Sequence, residues 1–361
     1  MADGITISQT SSPAARLQPI TIGVGDTAVA VDTPVILAPM TGVTDLPFRR
    51  LVKREGAGLV VSEMIASQAM IREARQALQK AQSEPEEFPM SVQLAGCEPE
   101  CIAEAAKLNE DRGAQIIDLN FGCPVKKIVN GHAGSHLMRD EPLAARILEA
   151  AVKAVKVPVT LKMRMGWDHS SLNAPKLAKI AEESGIRLIT VHGRTRCQLY
   201  TGKADWNFIR TVKDAVSLPV IANGDIVTVA DAEIALAQSG ADGVMVGRGA
   251  YGRPWFLGQV IDHLQHGRKT ADPDLATQYA LVLEHYDAML EFYGEVVGMR
   301  MARKHLGWYT KGLPAGAEFR GDVNRTDDAR AVRDRIRSFY EPLVERGVVR
   351  LSVAPGAGES E

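Results

Sequence analysis

Aromatic residues make up only 5% of this 361-residue chain, and cysteine occurs four times. With so few rings beside 32 glycines, the core must be built mainly from aliphatic side chains joined by many tight turns. Cys97, Cys101, Cys123 and Cys197 show no disulfide framework, and reduced thiols fit a cytoplasmic protein. Cys97 and Cys101 have no matching second pair, so they read as neighbours on a helix rather than a metal knuckle, and no metal site is expected. No apolar run approaches the ~20 residues of a membrane helix, so no membrane partner is expected. Residues 1–33 lack a basic stretch followed by an apolar one, which argues against a secretory signal and leaves them as an N-terminal extension. A net charge of −2 excludes a chain that is basic over its whole surface, but not one with a local basic face.

What is present is a series of short apolar runs bounded by turn residues: Val35–Pro39, Gly58–Glu63, Met90–Ala95, Gln115–Asn120, Pro158–Arg164, Ile186–His192, Pro219–Asn223 and Ala241–Gly247. Most are nearly continuous, as for parallel strands covered on both faces. Helix-like stretches such as Glu100–Glu110 and Leu143–Val155 alternate with them, which predicts an α/β fold. Eight such units over 34–258 match a (β/α)8 TIM barrel, with a doubly wound open sheet as the alternative. Polar residues gather where the runs end, at Glu63, Asn120, Arg164, His192, Asn223 and Gly247, and barrels carry their chemistry at these ends. The Gly247–Gly252 segment also fits G-x-G-x-x-G, but no second strand and ribose-binding acid follow, so a dinucleotide fold is rejected.

Beyond residue 258 the texture changes. Leu275, Tyr279, Val282, Tyr286, Met289 and Tyr293 recur at steps of three and four, as do Val332, Ile336, Phe339 and Leu343. Residues 259–350 therefore read as a small all-α domain, and 351–361 as a disordered tail. Charge divides this domain: Ile261–Met299 carries a net −5, whereas Arg300–Arg337 carries +5. Arg300, Arg303, Lys304 and Lys311 would share one helical face, and Trp308 and Tyr309 lie beside it.

The densest chemical segment is Asp118–Pro124. Cys123 in it is either a buried structural thiol or a functional one: nucleophile, metal ligand or general acid. An ordinary thiol, with a pKa of about 8.5, is mostly protonated at neutral pH and can donate a proton to a carbanion. Asn223-Gly224-Asp225 and Gly247-Arg248-Gly249 follow the seventh and eighth runs, where barrels commonly bind a phosphate of cofactor or substrate. Lys162 within an apolar strand, and Arg194 and Arg196 after His192, point to an anionic ligand at the mouth.

Together these segments resemble the tRNA-dihydrouridine synthase family: Ala38–Asp45, Ser62–Met64, Asn120–Pro124, Lys162–Asp168, His192–Arg196, Asn223–Asp225 and Gly247-Arg248, in order and spacing over about 34–258. Ala302–Gly312 resembles the bacterial B-type branch, while Thr41 and Phe121 depart from the usual alanine and methionine. The resemblance implies a non-covalent FMN lined by Met40, Thr41 and Gly42, with Gln93 and Lys162 at its ring system. His192, Asn223, Gly224, Asp225, Gly247 and Arg248 would hold its ribityl chain and phosphate. It implies that NADPH or NADH reduces the flavin, that hydride passes from flavin N5 to uracil C6, and that Cys123 protonates C5 while Asn120 helps place the uracil. The expected partner is tRNA, not DNA, with Arg194, Arg196, Arg300, Arg303, Lys304 and Lys311 as its expected contacts, on a protein expected to act as a monomer. Two rival readings are a flavin barrel reductase of a free small molecule and an RNA-binding protein with an inactive barrel. The basic helical segment argues against the first, and intact Cys123, Lys162 and phosphate loops argue against the second.

Overall fold

A computed structural model describes residues 17–351. Positions 1–16 of the extension, and all of the 351–361 tail except Leu351, lie outside the described residues.

Eight parallel strands form a closed barrel: β1 (Val35–Leu37), β2 (Leu59–Val61), β3 (Met90–Ala95), β4 (Ile116–Phe121), β5 (Val159–Arg164), β6 (Ile189–His192), β7 (Val220–Asn223) and β8 (Gly243–Val246). Each overlaps one of the apolar runs. Pairing of Val244, Met245 and Val246 with Val35, Ile36 and Leu37 joins β8 to β1, which excludes the open sheet. The barrel helices are α1 (Leu46–Arg54), α2 (Pro99–Asp111), α3 (Glu141–Ala154), α4 (Ala174–Glu183), α5 (Trp206–Lys213), α6 (Val229–Ser239) and α7 (Phe256–His266). Two short helices, Ser67–Ile71 and Arg75–Ala81, fill the β2–β3 connection. Several helices start on side-chain caps: Asp45, Asp140, Asp205 and Thr228 accept from the N–H groups of Phe48, Leu143, Phe208 and Asp231. Phe256, Leu257, Val260 and Leu264 of α7 pack in the barrel's main core, so the boundary expected at residue 258 falls inside a barrel helix.

Strand alternation sorts the side chains into two sets. Val92, Leu94, Ile117, Leu119, Leu161 and Val191 join the core shared with the helices. The other set is apolar where the strands begin, with Ile36, Leu59, Ile116, Leu188 and Ile221, and polar where they end, with Gln93, Asn120, Lys162, His192 and Asn223. Ile20, Ile22 and Val31 join the apolar layer from an antiparallel hairpin of Ile20–Ile22 and Val29–Val31. Part of the extension is therefore the barrel's floor.

The remaining helices are α8 (Leu275–Tyr293), α9 (Glu295–Tyr309), α10 (Gly316–Arg325) and α11 (Ala329–Glu345). They have their own core, around Tyr286, Met289, Leu306, Val332 and Ile336. They meet the barrel on the side of β8, β1 and β2: Leu281 packs on Leu51 and Trp255, and Phe48 stands 5.6 and 5.3 Å from the rings of His285 and His305. Arg350 fastens the junction, donating to the carbonyls of Gly252, Trp308 and Lys311 at 2.9, 3.1 and 2.9 Å. No helix among the described residues is long and apolar enough to cross a membrane.

Candidate active site

A cavity of about 770 Å³ opens at the ends of the strands, within the size range of cofactor sites. Cys123 and Asn120 line it, and so do the expected cofactor residues except Gly42, whose neighbour Thr41 does. Trp308 of α9 completes the wall and stacks on Tyr251, with ring centroids 3.9 Å apart.

The Cys123 loop is fixed from several directions. Asn120 Oδ1 accepts from the N–H groups of Gly122 and Cys123 at 3.1 and 2.8 Å. Asn120 Nδ2 donates to Gln93 Oε1 at 2.7 Å, and Gln93 Nε2 donates to Asp118 at 2.7 Å. Thr160 donates to the other oxygen of Asp118 at 2.6 Å. Ser135 donates to the Cys123 carbonyl through both its N–H and its hydroxyl. Gly134 closes the loop at φ +61; a Cβ there would come within 2.9 Å of that carbonyl, so only glycine fits. Asn120, assigned to uracil placement, thus also holds the thiol's loop. Gln93, assigned to the flavin, spends its amide on the same chain of contacts.

Cations surround this loop. Burial, chiefly, and Arg164 push the Lys162 ammonium down to about 8, against the pull of Asp118 and Cys123. Arg164 is buried and donates to the carbonyls of Gly122, Thr195 and Leu199 at 2.9, 2.8 and 2.8 Å, tying the loops after β4 and β6 together. Burial and the charges of Arg164, Lys162, Arg194 and Arg248 hold His192 well below the usual imidazole range, so its ring is neutral. Arg194 Nη1 lies 3.4 Å from His192 Nε2, which favours Nε2 as acceptor and leaves the proton on Nδ1. Among the lining residues Lys127, Lys162, Arg164 and Arg248 are basic, whereas Asp225 alone is acidic. Asp225 is itself engaged, by Arg194 at 2.6 Å, Arg248 at 3.5 Å and the Ala204 N–H at 2.7 Å. It therefore braces the arginines rather than facing a phosphate. Gly224, at φ +115, lies so close to its surroundings that a Cβ would stand 2.8 Å from Ala204 Cβ and 2.9 Å from His192 Cδ2. The donor set fits an anionic, phosphate-bearing ligand.

The residues expected to meet tRNA scatter. Arg194 is 2% exposed and tied to Thr201 O, Gly202 O and Asp225, which leaves it no surface for an RNA backbone. Arg196 lies half-buried over Trp167, at 4.8 Å. Arg300 is exposed, whereas Arg303 pairs with Asp327 at 2.8 Å and donates to Thr326 O. Lys304 turns toward the barrel, its Nζ 2.6 Å from where a Cβ of Gly42 would lie. Lys311 falls past the end of α9, where its carbonyl receives Arg350. Sequence reasoning missed the bracing role of Arg164, which a buried arginine at a strand end could have signalled. It also missed Tyr200, which sits under the Arg248 guanidinium at 4.9 Å and has no sequence signal.

Residues 36–341 match the sequence model of the family described as Dihydrouridine synthase (Dus). The chain is 62% identical over 319 residues to a probable tRNA-dihydrouridine synthase of Rickettsia bellii (strain RML369-C), covering 88% of this chain and 98% of that one. It is 51% identical over 310 residues to tRNA-dihydrouridine synthase B of Xanthomonas axonopodis pv. citri (strain 306), covering 86% and 93%. Among solved structures, histamine dehydrogenase from Rhizobium sp. 4-9 superposes with a TM-score of 0.53 at 12% identity, over 92% of this chain and 65% of that one, a likeness of fold.

Proposed function

The chain belongs to the dihydrouridine synthase family, and from that premise we propose that it reduces uridines of tRNA to 5,6-dihydrouridine, with FMN in the barrel mouth and NADPH or NADH as reductant. The observation that carries the reading is the setting of Cys123: a thiol on a loop braced by Asn120, Ser135 and Arg164, in the wall of a predominantly basic cavity.

Bound FMN would supply the hydride that adds to C6 of the uracil. Gly224, Gly247 and Arg248 would hold its phosphate, with Asp225 and Arg194 steadying Arg248 from behind. Lys162 would face its ring system as a cation. The uridine reaches the cavity only when turned out of its stack. Cys123 Sγ would hand its proton to C5 as charge develops there. Lys162 and Arg164, near enough to feel the charge of Cys123, would stabilise the thiolate left behind until solvent reprotonates it. The barrel through α7 is assigned the chemistry, and the helices up to residue 350 a share of tRNA binding, in a cytoplasmic monomer.

The test has two parts: titrate the pure protein with FMN, and compare dihydrouridine in tRNA from cells with and without the gene. Failure to acquire flavin absorbance, or unchanged dihydrouridine at every position, overturns the reading.

A further inference from the structure

Trp167, in the loop after β5, carries two arginines. The Arg139 guanidinium lies 4.6 Å and the Arg196 guanidinium 4.8 Å from its ring centroid. His136 meets the same indole edge-on at 6.2 Å, and His132 Nδ1 stands 3.2 Å from His136 Nε2. The cluster is assembled from three successive loops, after β4, β5 and β6, and lies outside the cavity wall.

Its cations are not paired. Neither arginine has an ion pair among the described residues, and Arg196 Nε is buried without a hydrogen-bond partner. The neighbouring acids turn elsewhere: Asp168 accepts from Ser170 and Ser171, and Asp140 caps α3. Two guanidiniums gathered on one ring repel each other, and cation–π attraction to the indole holds them there. What is left unused is their donor edges, suited to phosphate oxygens.

The cluster's place in the barrel gives it meaning. In a closed barrel of eight strands, β5 lies across from β1. The C-terminal helices meet the barrel at the Gly42 turn after β1 and at Gly252 after β8, so they and the Trp167 cluster face each other across the mouth. We propose that the Trp167 cluster is a second RNA-docking surface: Arg139 and Arg196 hold the phosphate backbone on the side opposite α9, so that the strand carrying the target uridine crosses the cavity between two supports. This rests on the tRNA reading above. Because guanidiniums occupy the indole, the contact is to phosphate rather than by base stacking, and is independent of sequence.

The experiment uses the FMN-loaded full chain and measures tRNA binding by anisotropy as salt is varied. Arg139→Ala with Arg196→Ala should weaken binding at moderate salt by roughly tenfold and lower the salt slope by about 1–2, since each phosphate contact contributes about 0.7–0.9. FMN occupancy, read from absorbance, reports whether the variant is folded. Arg139→Lys with Arg196→Lys, which keeps the charge and loses the forked donors, should fall between. Adding Arg300→Ala should deepen the loss, because a strand held at both supports loses each independently. Wild-type affinity and slope in the flavin-loaded double alanine variant overturn the docking surface. No effect of Arg300→Ala in that background overturns the crossing. A wild-type protein that binds tRNA in this way but forms no dihydrouridine refutes the activity and leaves the docking surface standing.

Discussion

Arg49, Arg164 and Arg194 of the barrel are each at most 2% exposed, whereas Arg300, Arg325, Arg330 and Arg335 of the C-terminal helices stand in solvent. The buried arginines are tied at several points. Arg49 reaches Glu87 at 2.5 Å and the carbonyls of Thr44 and Gln82, and Arg194 reaches Asp225 and two carbonyls. Releasing such a group strands a charge in a low-dielectric interior, so these residues act as struts. Of the helical arginines, Arg300 and Arg330 have no ion pair among the described residues, and others hold exposed aspartates, Arg325 with Asp322 at 2.8 Å and Arg337 with Asp334 at 3.9 Å. Exposed pairs contribute only about 0–1 kcal/mol, so a phosphate can replace the aspartate with little penalty. The barrel's arginines are fixed in place, and those of the helices stay exchangeable, as the proposed binding of an RNA backbone there requires.

The sharpest way to break this comparison is Cys123→Ala. If chemistry belongs to the barrel and docking to the rims, dihydrouridine formation falls by about 10²–10⁴-fold, the usual range for a lost general acid. FMN content and tRNA affinity stay at wild-type values. Product assayed by mass, beside anisotropy on the same preparation, separates the two, and a parallel loss of tRNA affinity would mean that the division is wrong. Arg248→Ala comes next. A charge-assisted phosphate contact contributes about 1.5–3 kcal/mol, so FMN should bind roughly ten- to a hundredfold more weakly. Once FMN is saturating, tRNA affinity should be unaltered; a flavin titration followed by tRNA binding decides.

The eight strands declare themselves through β-branched runs, and strand ends gather polar residues because only the mouth of a filled barrel admits them. The floor hairpin was not legible: its strands, Ile20–Ile22 and Val29–Val31, have three residues each, too few for a period, and their apolar partners lie far along the chain. Arg194 was misjudged because proximity to His192 in sequence says nothing about whether a side chain turns inward. A helical wheel places Arg300, Arg303 and Lys304 together, but cannot foresee that Thr326 and Asp327 come up beneath Arg303 or that the Gly42 turn abuts Lys304. The placing of Cys123 and of the Asn223–Asp225 and Gly247–Gly249 loops at the mouth was legible, because short glycine-rich loops fix their geometry locally.

A milder test sharpens the exchangeable half. Arg300 and Arg330 are exposed and have no ion pair among the described residues. Arg300→Ala with Arg330→Ala should lower the salt slope of tRNA binding by about 1–2 and weaken affinity several-fold. FMN binding should not change. An unaltered slope would remove these two residues from the RNA-binding surface and leave the Trp167 cluster as the main support.

The smallest effect on activity is expected where the two regions touch. Asp45 caps α1, accepting from the Phe48 N–H at 3.1 Å, and its other oxygen accepts from the Tyr293 hydroxyl of α8 at 3.0 Å. Burial is the main influence on it and Glu63 adds to this; together they push the carboxyl from 3.8 up to about 7, against the pull of Phe48 N–H, Tyr293 and Arg49. Between about 4 and 7 the folded protein therefore holds a proton that the unfolded chain has released. The stability this group contributes is complete below 3.8 and is lost as pH rises through about 7, with a limiting slope of about 1.4 kcal/mol per pH unit. Asp45→Asn keeps the cap and stays neutral at every pH. Its melting temperature relative to wild type should therefore rise between pH 5 and pH 8, while FMN content and product formation at neutral pH remain close to wild type. A difference in melting temperature that is the same at both pH values would mean that Asp45 is ionised throughout. The junction would then join barrel and helices through a buried charge, as the barrel's arginines do, rather than through a neutral hydrogen bond.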